Sequence, residues 1–380
     1  MVITRKLKLY PPNKTKLKEI VRVTKEYKKC VNFWIDKIRH INNTGIYNLH
    51  CKYYYEARSK HNILAITVQL AMFKAIRIAR NARKKTKLVP YMEADSLAVP
   101  RTLVEGNNLG LMMGKGRTWI PFKSQRIPKG KIKESVLKQV SGEWYCFLSL
   151  DIGEPKKHLY KRVLGVDLGL AKIATVSTSK GKHTTFFRGD RLRYIKSYYY
   201  NKRKELQDKL KQGNVYKVLK RISKRERNWT TTENHRISRE IVNQAKRLRM
   251  GIAVENLRGI TERLNFNKKT RRMIKGWSFR QLSNFISYKA DLEGLPYVTV
   301  DPRETSKRCP KCLTVSRSNR KSQSRFKCMK CKYESNADRI GAMNIALKGT
   351  ELLVYPIAYG QQTNAHNVRS AYKISLLPNQ

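Results

Sequence analysis

Acidic residues are scarce in this chain: 27 Asp plus Glu stand against 82 Lys plus Arg over 380 residues, a formal net charge of +55. The excess runs the whole length and is not confined to a tail. Self-repulsion on that scale disfavours a compact free protein, so a polyanion is expected to neutralise it. Long apolar runs are missing as well. No stretch of 18 apolar residues exists, which excludes a spanning helix, and no signal-peptide pattern opens the chain. A membrane is therefore not an expected partner, and the expected setting is cytoplasmic and nucleoid-associated. Cysteine is too sparse and too unevenly placed for a disulfide framework: Cys30, Cys51 and Cys146 are scattered, and the other four come in two pairs. What remains is an intracellular nucleic-acid binder, long enough for two or three domains.

Residues 2–9 partly alternate apolar and basic positions, like a strand with one wet face, and Pro11 and Pro12 end it. From Asn13 to about Lys87 the spacing is helical. One stripe is Leu17, Ile20, Val21, Val23 and Tyr27, and a second is Ile63, Ile66, Leu70, Phe73 and Ile76. The basic end from Arg77 to Lys87 reads either as a solvated helix terminus or as a phosphate contact. Between Leu97 and Ile152 the pattern turns β-like, with Gly142 in the turn of a hairpin. Together with the first strand this predicts a small barrel interrupted by a helical insertion.

From Arg162 strands are expected at 163–169, 173–179 and 183–188, then a basic helical region over 190–228 and a helix over 232–250. A strand at 251–257, a basic loop at 258–274, a helix from Trp277 to Leu292 and a strand from Tyr297 to Asp301 follow. Strands alternating with helices predict an α/β sheet whose site lies at strand ends. Tyr53–Tyr55, Tyr198–Tyr200, Trp229 and Trp277 could stack on bases, against a core placement for each. After Gly349 no sustained period remains, and a flexible tail is expected.

Two strands each end in a carboxylate. Val163–Gly169 delivers Asp167, and Gly251–Leu257 delivers Glu255. A lone buried Asp must be paired, protonated or bound to a cation, although an Asp capping a turn is the competing reading. A third acid, Asp338, opens a helix whose Gly341 and Ala342 allow close packing. Helix capping would also account for it, and Asp301 is its rival. Three acids at element ends in a chain so poor in acids suggest a Mg²⁺ (or Mn²⁺) site. Two ions bridged by a shared Asp would activate water and stabilise the leaving 3′ oxygen of a phosphodiester.

Cys309-Pro-Lys-Cys312 and Cys328-Met-Lys-Cys331 are two C-x-x-C knuckles separated by 15 residues. Four thiolates so spaced predict a closed, tetrahedral, structural Zn²⁺ site. Neither knuckle has the Gly that often follows the second cysteine; Leu313 and Lys332 stand there.

Taken together, Gly165-Val-Asp-Leu-Gly-Leu170, Ala253-Val-Glu-Asn-Leu257, Thr305–Cys312 with Cys328–Cys331, and Ala337–Ala346 resemble, in order and spacing, the TnpB family. These are transposon-encoded RNA-guided nucleases related to the miniature type V CRISPR effectors and to Fanzor. The resemblance is specific over 160–348 and architectural before that. It implies an RNase H-like (RuvC) core with an inserted zinc ribbon, preceded by a small β-barrel with a helical insertion. The implied domains are a wedge-like barrel (1–10 and 93–158), a recognition insertion (11–92), a nuclease domain (159–302 and 336–349), a zinc ribbon (303–335) and a tail (350–380). It implies Mg²⁺ held by Asp167, Glu255 and Asp338, Zn²⁺ held by Cys309, Cys312, Cys328 and Cys331, a guide RNA from the transposon end, and cleavage of double-stranded DNA beside a short adjacent motif. Nothing in the sequence indicates a homodimer. The alternatives are a non-catalytic RNA-guided DNA-binding regulator, a transposase performing strand transfer, and, remotely, an actin-like ATPase suggested by Asp-Leu-Gly.

Overall fold

The computed structural model describes residues 1–39, 46–83, 91–114, 116–140, 142–208, 215–257 and 279–358. Two compact units divide the chain, Met1–Glu154 and Pro155–Gln380.

In the first unit, β1 (Val2–Lys8), β7 (Glu143–Asp151), β6 (Lys131–Val140) and β2 (Ser96–Val99) form an antiparallel sheet in that order. A second sheet comprises β3 (Leu103–Glu105), β4 (Asn108–Met112) and β5 (Arg117–Pro121), and a Leu9–Phe122 bridge links them. Gly142 does sit in the β6–β7 turn, at φ +83°, where a side chain would be strained. Three helices are inserted after β1: α1 (Lys14–Arg39), α2 (Ile46–Lys60) and α3 (Ala65–Arg83). Asn13 caps α1 by accepting the Lys16 N–H at 2.9 Å. Ile20, Val23, Tyr27, Cys30, Val31, Trp34 and Ile38 form its buried stripe.

The stripe expected on α3 is displaced. Ile66 and Phe73 are exposed, whereas Val68, Ala71, Met72, Ala75 and Ala79 are buried with Ile76. The small alanines let α3 lie close on α1, so the packing face follows size and not hydrophobicity alone. The basic end beyond Arg83 lies outside the described residues. Tyr53 and Tyr54 pack partly on the core, and Tyr55 is exposed.

The second unit is a five-stranded sheet in the order β10 (Thr184–Arg188), β9 (Lys172–Thr178), β8 (Val163–Leu168), β11 (Gly251–Glu255), β12 (Tyr297–Val300). β9 runs antiparallel to both β10 and β8, and β11 pairs in parallel with both β8 and β12. The middle strands read as continuous apolar runs because both faces are covered. On one face lie α5 (Val215–Arg247) and α6 (Phe279–Leu292), contributing Ile237, Ile241, Val242, Leu282 and Ile286 to the core. On the other lies α7 (Ala337–Ala358), whose Ile345 and Ala346 bury against Val163, Ala253 and Val300.

Two boundaries differ from expectation. Within the basic helical region at 190–228, α4 spans Asp190–Gln207, and α5 runs without a break through 229–232 into the helix expected over 232–250. Thr230, Asn234 and Ile237 are all buried there, and a polar sequence hid that continuous inner face. The helix that opens at Ala337 passes Gly349, because Leu352 and Leu353 still pack on the Val163 cluster. Residues 359–380, Trp277 and the basic loop from 258 lie outside the described residues.

Candidate active site and cysteine cluster

Strand register decides which of the acids are neighbours. Gly251 to Val254 pair with Val163 to Val166, so one further step along the two parallel strands sets Glu255 beside Asp167. Asp338 comes from the first turn of α7, which crosses the same strand. The approach is close at two glycines. A methyl on Gly165 would lie under 3.0 Å from the Ala342 carbonyl oxygen and the Ala346 nitrogen, and one on Gly341 would lie 2.7 Å from Asp167 Oδ2. At Gly165 the clash falls on helix backbone and at Gly341 on the Asp167 carboxylate, and the two glycines bring α7 down onto the end of β8.

The electrostatics follow from that convergence. Desolvation first, then the negative charges of Glu255 and Asp338, push the Asp167 carboxyl well above its ordinary range. Burial also raises Glu255, against the opposing Thr305 hydroxyl and the Lys348 and Arg320 charges. Carboxylates crowded in this way are hard to keep ionised without a cation, which is the condition a divalent metal site creates. Among the described residues the three acids do not bring their ligand atoms within 4.8 Å of one another, as the four cysteines described below do. Asp338 Oδ2 pairs with Lys172 Nζ at 3.3 Å, and that lysine also reaches Asn336 Oδ1 at 3.2 Å and sits 3.9 Å over the Phe186 ring. Asp338 does not cap its own helix. Asn336 does, with its Oδ1 accepting the Asp338 and Arg339 N–H groups at 3.1 and 3.3 Å. Asp301 accepts the Arg303 N–H at 2.9 Å, the turn role that rivalled a place at the metal.

Three groups beside these acids escaped the sequence reading: Thr305, whose hydroxyl lies 2.5 Å from Glu255 Oε1, Lys172, and Arg320. Thr305 belongs to the stretch that leads into the first knuckle, a usable signal. Nothing distinguished Lys172 or Arg320 among 82 cations.

The four cysteines form a second centre. Their sulfurs all lie within 4.8 Å of one another, with Cys309–Cys331 at 3.6 Å and Cys312–Cys328 at 3.4 Å. Sulfurs about 2.3 Å from a tetrahedral zinc would be ~3.8 Å apart, so the cluster fits that ion. The Thr314 hydroxyl and amide bring the Cys312 thiol down to about 6, while burial pushes Cys309 up to about 12. Leu313 and Lys332 take φ +60° and +58°, so the turns that usually use glycine keep their shape with side chains in the left-handed region. Phe326 fills the small core against Cys309 and Cys328.

A family model described as "Probable transposase" matches residues 139–260, and "Cas12f1-like, TNB domain" matches 279–345. The resemblance to the TnpB family holds. Cas12f1 of Syntrophomonas palmitatica, a CRISPR-associated endodeoxyribonuclease, is 27% identical over 60% of this chain and 46% of its own length. The putative RNA-guided DNA endonuclease InsQ of Escherichia coli K12 is 25% identical over 62% of this chain and 61% of its own. The TnpB-like protein MJ0751 of Methanocaldococcus jannaschii is 30% identical over 43% and 59%. This chain spans about half the length of the curated relatives it matches. Among solved structures, the Cas12f1-sgRNA-target DNA complex aligns with TM-score 0.64 at 15% identity, over 87% of this chain and 82% of that one. The mini-RNA-guided endonuclease CRISPR-Cas_phi3 aligns at 0.54 and 11% over 92% of each. These likenesses give the fold, a mixed α/β multidomain architecture of the Cas12 effectors. No helix among the described residues is long and apolar enough to cross a membrane.

Proposed function

We propose that the chain is an RNA-guided DNA endonuclease of a transposon that hydrolyses phosphodiesters of double-stranded DNA at Asp167, Glu255 and Asp338. The observation that carries this reading is the parallel register bringing Glu255 beside Asp167 under the helix that bears Asp338. The strand order, with β8 central between an antiparallel pair and two parallel strands, goes with an RNase H-like core over 159–302 and 336–349. The two antiparallel sheets of the first unit fit a wedge-like barrel (1–10 and 93–158) around a helical recognition insertion (11–92), and 303–335 is the ribbon. The guide is RNA from the transposon end, and the site of action is the nucleoid.

Within this reading the three carboxylates would hold Mg²⁺ or Mn²⁺, which when bound supplies a water of lowered pKa and charge stabilisation at the scissile phosphate. The protein's own groups do the rest. Lys172 and Arg320 keep positive charge beside the acids and would hold the phosphate near them. Thr305 donates to Glu255 Oε1. The Cys₄ zinc has all four positions filled and acts structurally. Sequence reading falls to guide–target pairing, the protein gripping the duplex by its backbone and shape.

The test is to purify the full chain with the RNA that accompanies it, sequence that RNA, and offer duplex DNA complementary to its variable end. Cleavage that needs Mg²⁺ and disappears in Asp167→Ala while binding persists supports the proposal. Binding without cleavage in the wild type would make the protein a regulator, and joined DNA ends formed without RNA would make it a transposase.

A further inference from the structure

We propose that Thr305 is a positioning residue for Glu255, and that through it the cysteine ribbon governs how tightly the acidic site holds a divalent cation. This rests on the reading of that site given above.

Thr305 is 3% exposed and lies at the start of the segment that enters the first knuckle. Its hydroxyl has one proton and two acceptors within reach, Glu255 Oε1 at 2.5 Å and the Pro302 carbonyl at 2.9 Å. A carboxylate oxygen is a stronger acceptor than an amide carbonyl and is the nearer of the two, so it takes the proton. That bond fixes the Glu255 rotamer from one side. Thr305 is held in turn. Asn344 on α7, 1% exposed, donates through Nδ2 to the Thr305 carbonyl at 2.7 Å and to the Arg308 carbonyl at 2.8 Å. Arg308 is followed directly by Cys309. Glu304, just before Thr305, stands at φ +66°, a strained conformation that persists only where its surroundings over-determine it.

The ribbon's other end reaches the third acid. The Ala337 N–H donates to the Ser324 carbonyl at 2.8 Å inside the ribbon, and Asn336 caps the turn that carries Asp338. The entry to the ribbon thus orients Glu255, and its exit sets the helix start beneath Asp338. Closing the four thiolates around zinc fixes both ends together. Groups that orient a metal ligand in this way typically set the affinity by about 10–100-fold.

The experiment titrates Mn²⁺ into the zinc-loaded full chain without nucleic acid, reading free Mn²⁺ by electron paramagnetic resonance, with zinc content by elemental analysis. Wild type, Asp167→Ala, Thr305→Val, Thr305→Ser and Cys331→Ser are compared. The expected result is an Asp167-dependent site in the wild type, kept by Thr305→Ser and weakened about 10–100-fold by Thr305→Val with zinc retained. Cys331→Ser loses zinc and weakens Mn²⁺ in the same range. If Thr305→Val misfolds, Thr305→Ala replaces it. Wild-type affinity in either folded variant overturns the role of Thr305, and loss of zinc with Mn²⁺ affinity intact overturns the coupling. Absence of any Asp167-dependent site in the wild type would instead remove the reading of the acids on which this rests.

Discussion

Replacing Gly165 by alanine should destabilise the second unit, because the added methyl has no room above β8. Gly165 lies in the middle of β8, paired with Ala253 on one side and Ser177 on the other, and α7 rests directly on it. The new carbon would meet the Ala342 oxygen and the Ala346 nitrogen inside 3.0 Å. Both are backbone atoms of a helix, so no side-chain rotation relieves the clash, and α7 must lift off the sheet. Overpacking a core costs about 1–3 kcal/mol even where side chains can yield, so roughly 3 kcal/mol is the expected loss here. For a unit of this size each kcal/mol lowers Tm by about 2–4 °C, which predicts a drop of ~6–12 °C in its transition by differential scanning calorimetry. Gly116→Ala serves as the control, because a methyl there meets nothing within 4 Å. A Gly165→Ala melt indistinguishable from wild type would refute the close packing of α7 on β8, and with it the placement of the first turn of α7 beside Asp167.

Gly341→Ala presses on a carboxylate instead of backbone, with its methyl 2.7 Å from Asp167 Oδ2, so it should leave Tm nearly unchanged while abolishing Asp167-dependent Mn²⁺ binding in a titration. Leu313→Gly and Lys332→Gly relieve left-handed strain of about 1–2 kcal/mol, partly offset by the unfolded-state entropy of glycine, and should each slow zinc loss to a chelator. Burial holds the Lys289 ammonium down at about 8, where it donates to the His235 carbonyl and Ser238 hydroxyl. The folded state gives up this proton first, so its contribution to stability rises with pH from about 8 to the unfolded value of 10.5. Urea melts of Lys289→Met against wild type should lose that rise.

Much of the second unit was legible because its strands are short apolar runs ending in acids and its knuckles have fixed spacing. Asp167, Glu255 and the four cysteines stand where period and spacing point. Other features were hidden for physical reasons. The inner face of α5 is built partly from Thr230 and Asn234, which no hydrophobic pattern registers. The α3 face depends on alanines whose value is their size. Lys172 and Arg320 acquire meaning only from the acids beside them, and no local signal separates them from other cations. The Asn336 cap took the role that capping logic offered to Asp338, because a side chain outside the helix reaches its free N–H groups more easily.

The most direct measurement is anomalous diffraction from crystals of the full chain soaked in Mn²⁺. The account predicts a manganese peak about 2 Å from carboxylate oxygens of Asp167, Glu255 and Asp338 together, with zinc at the four cysteines. Manganese bound elsewhere, with Asp338 remaining on Lys172 and apart from the other two acids, would contradict it.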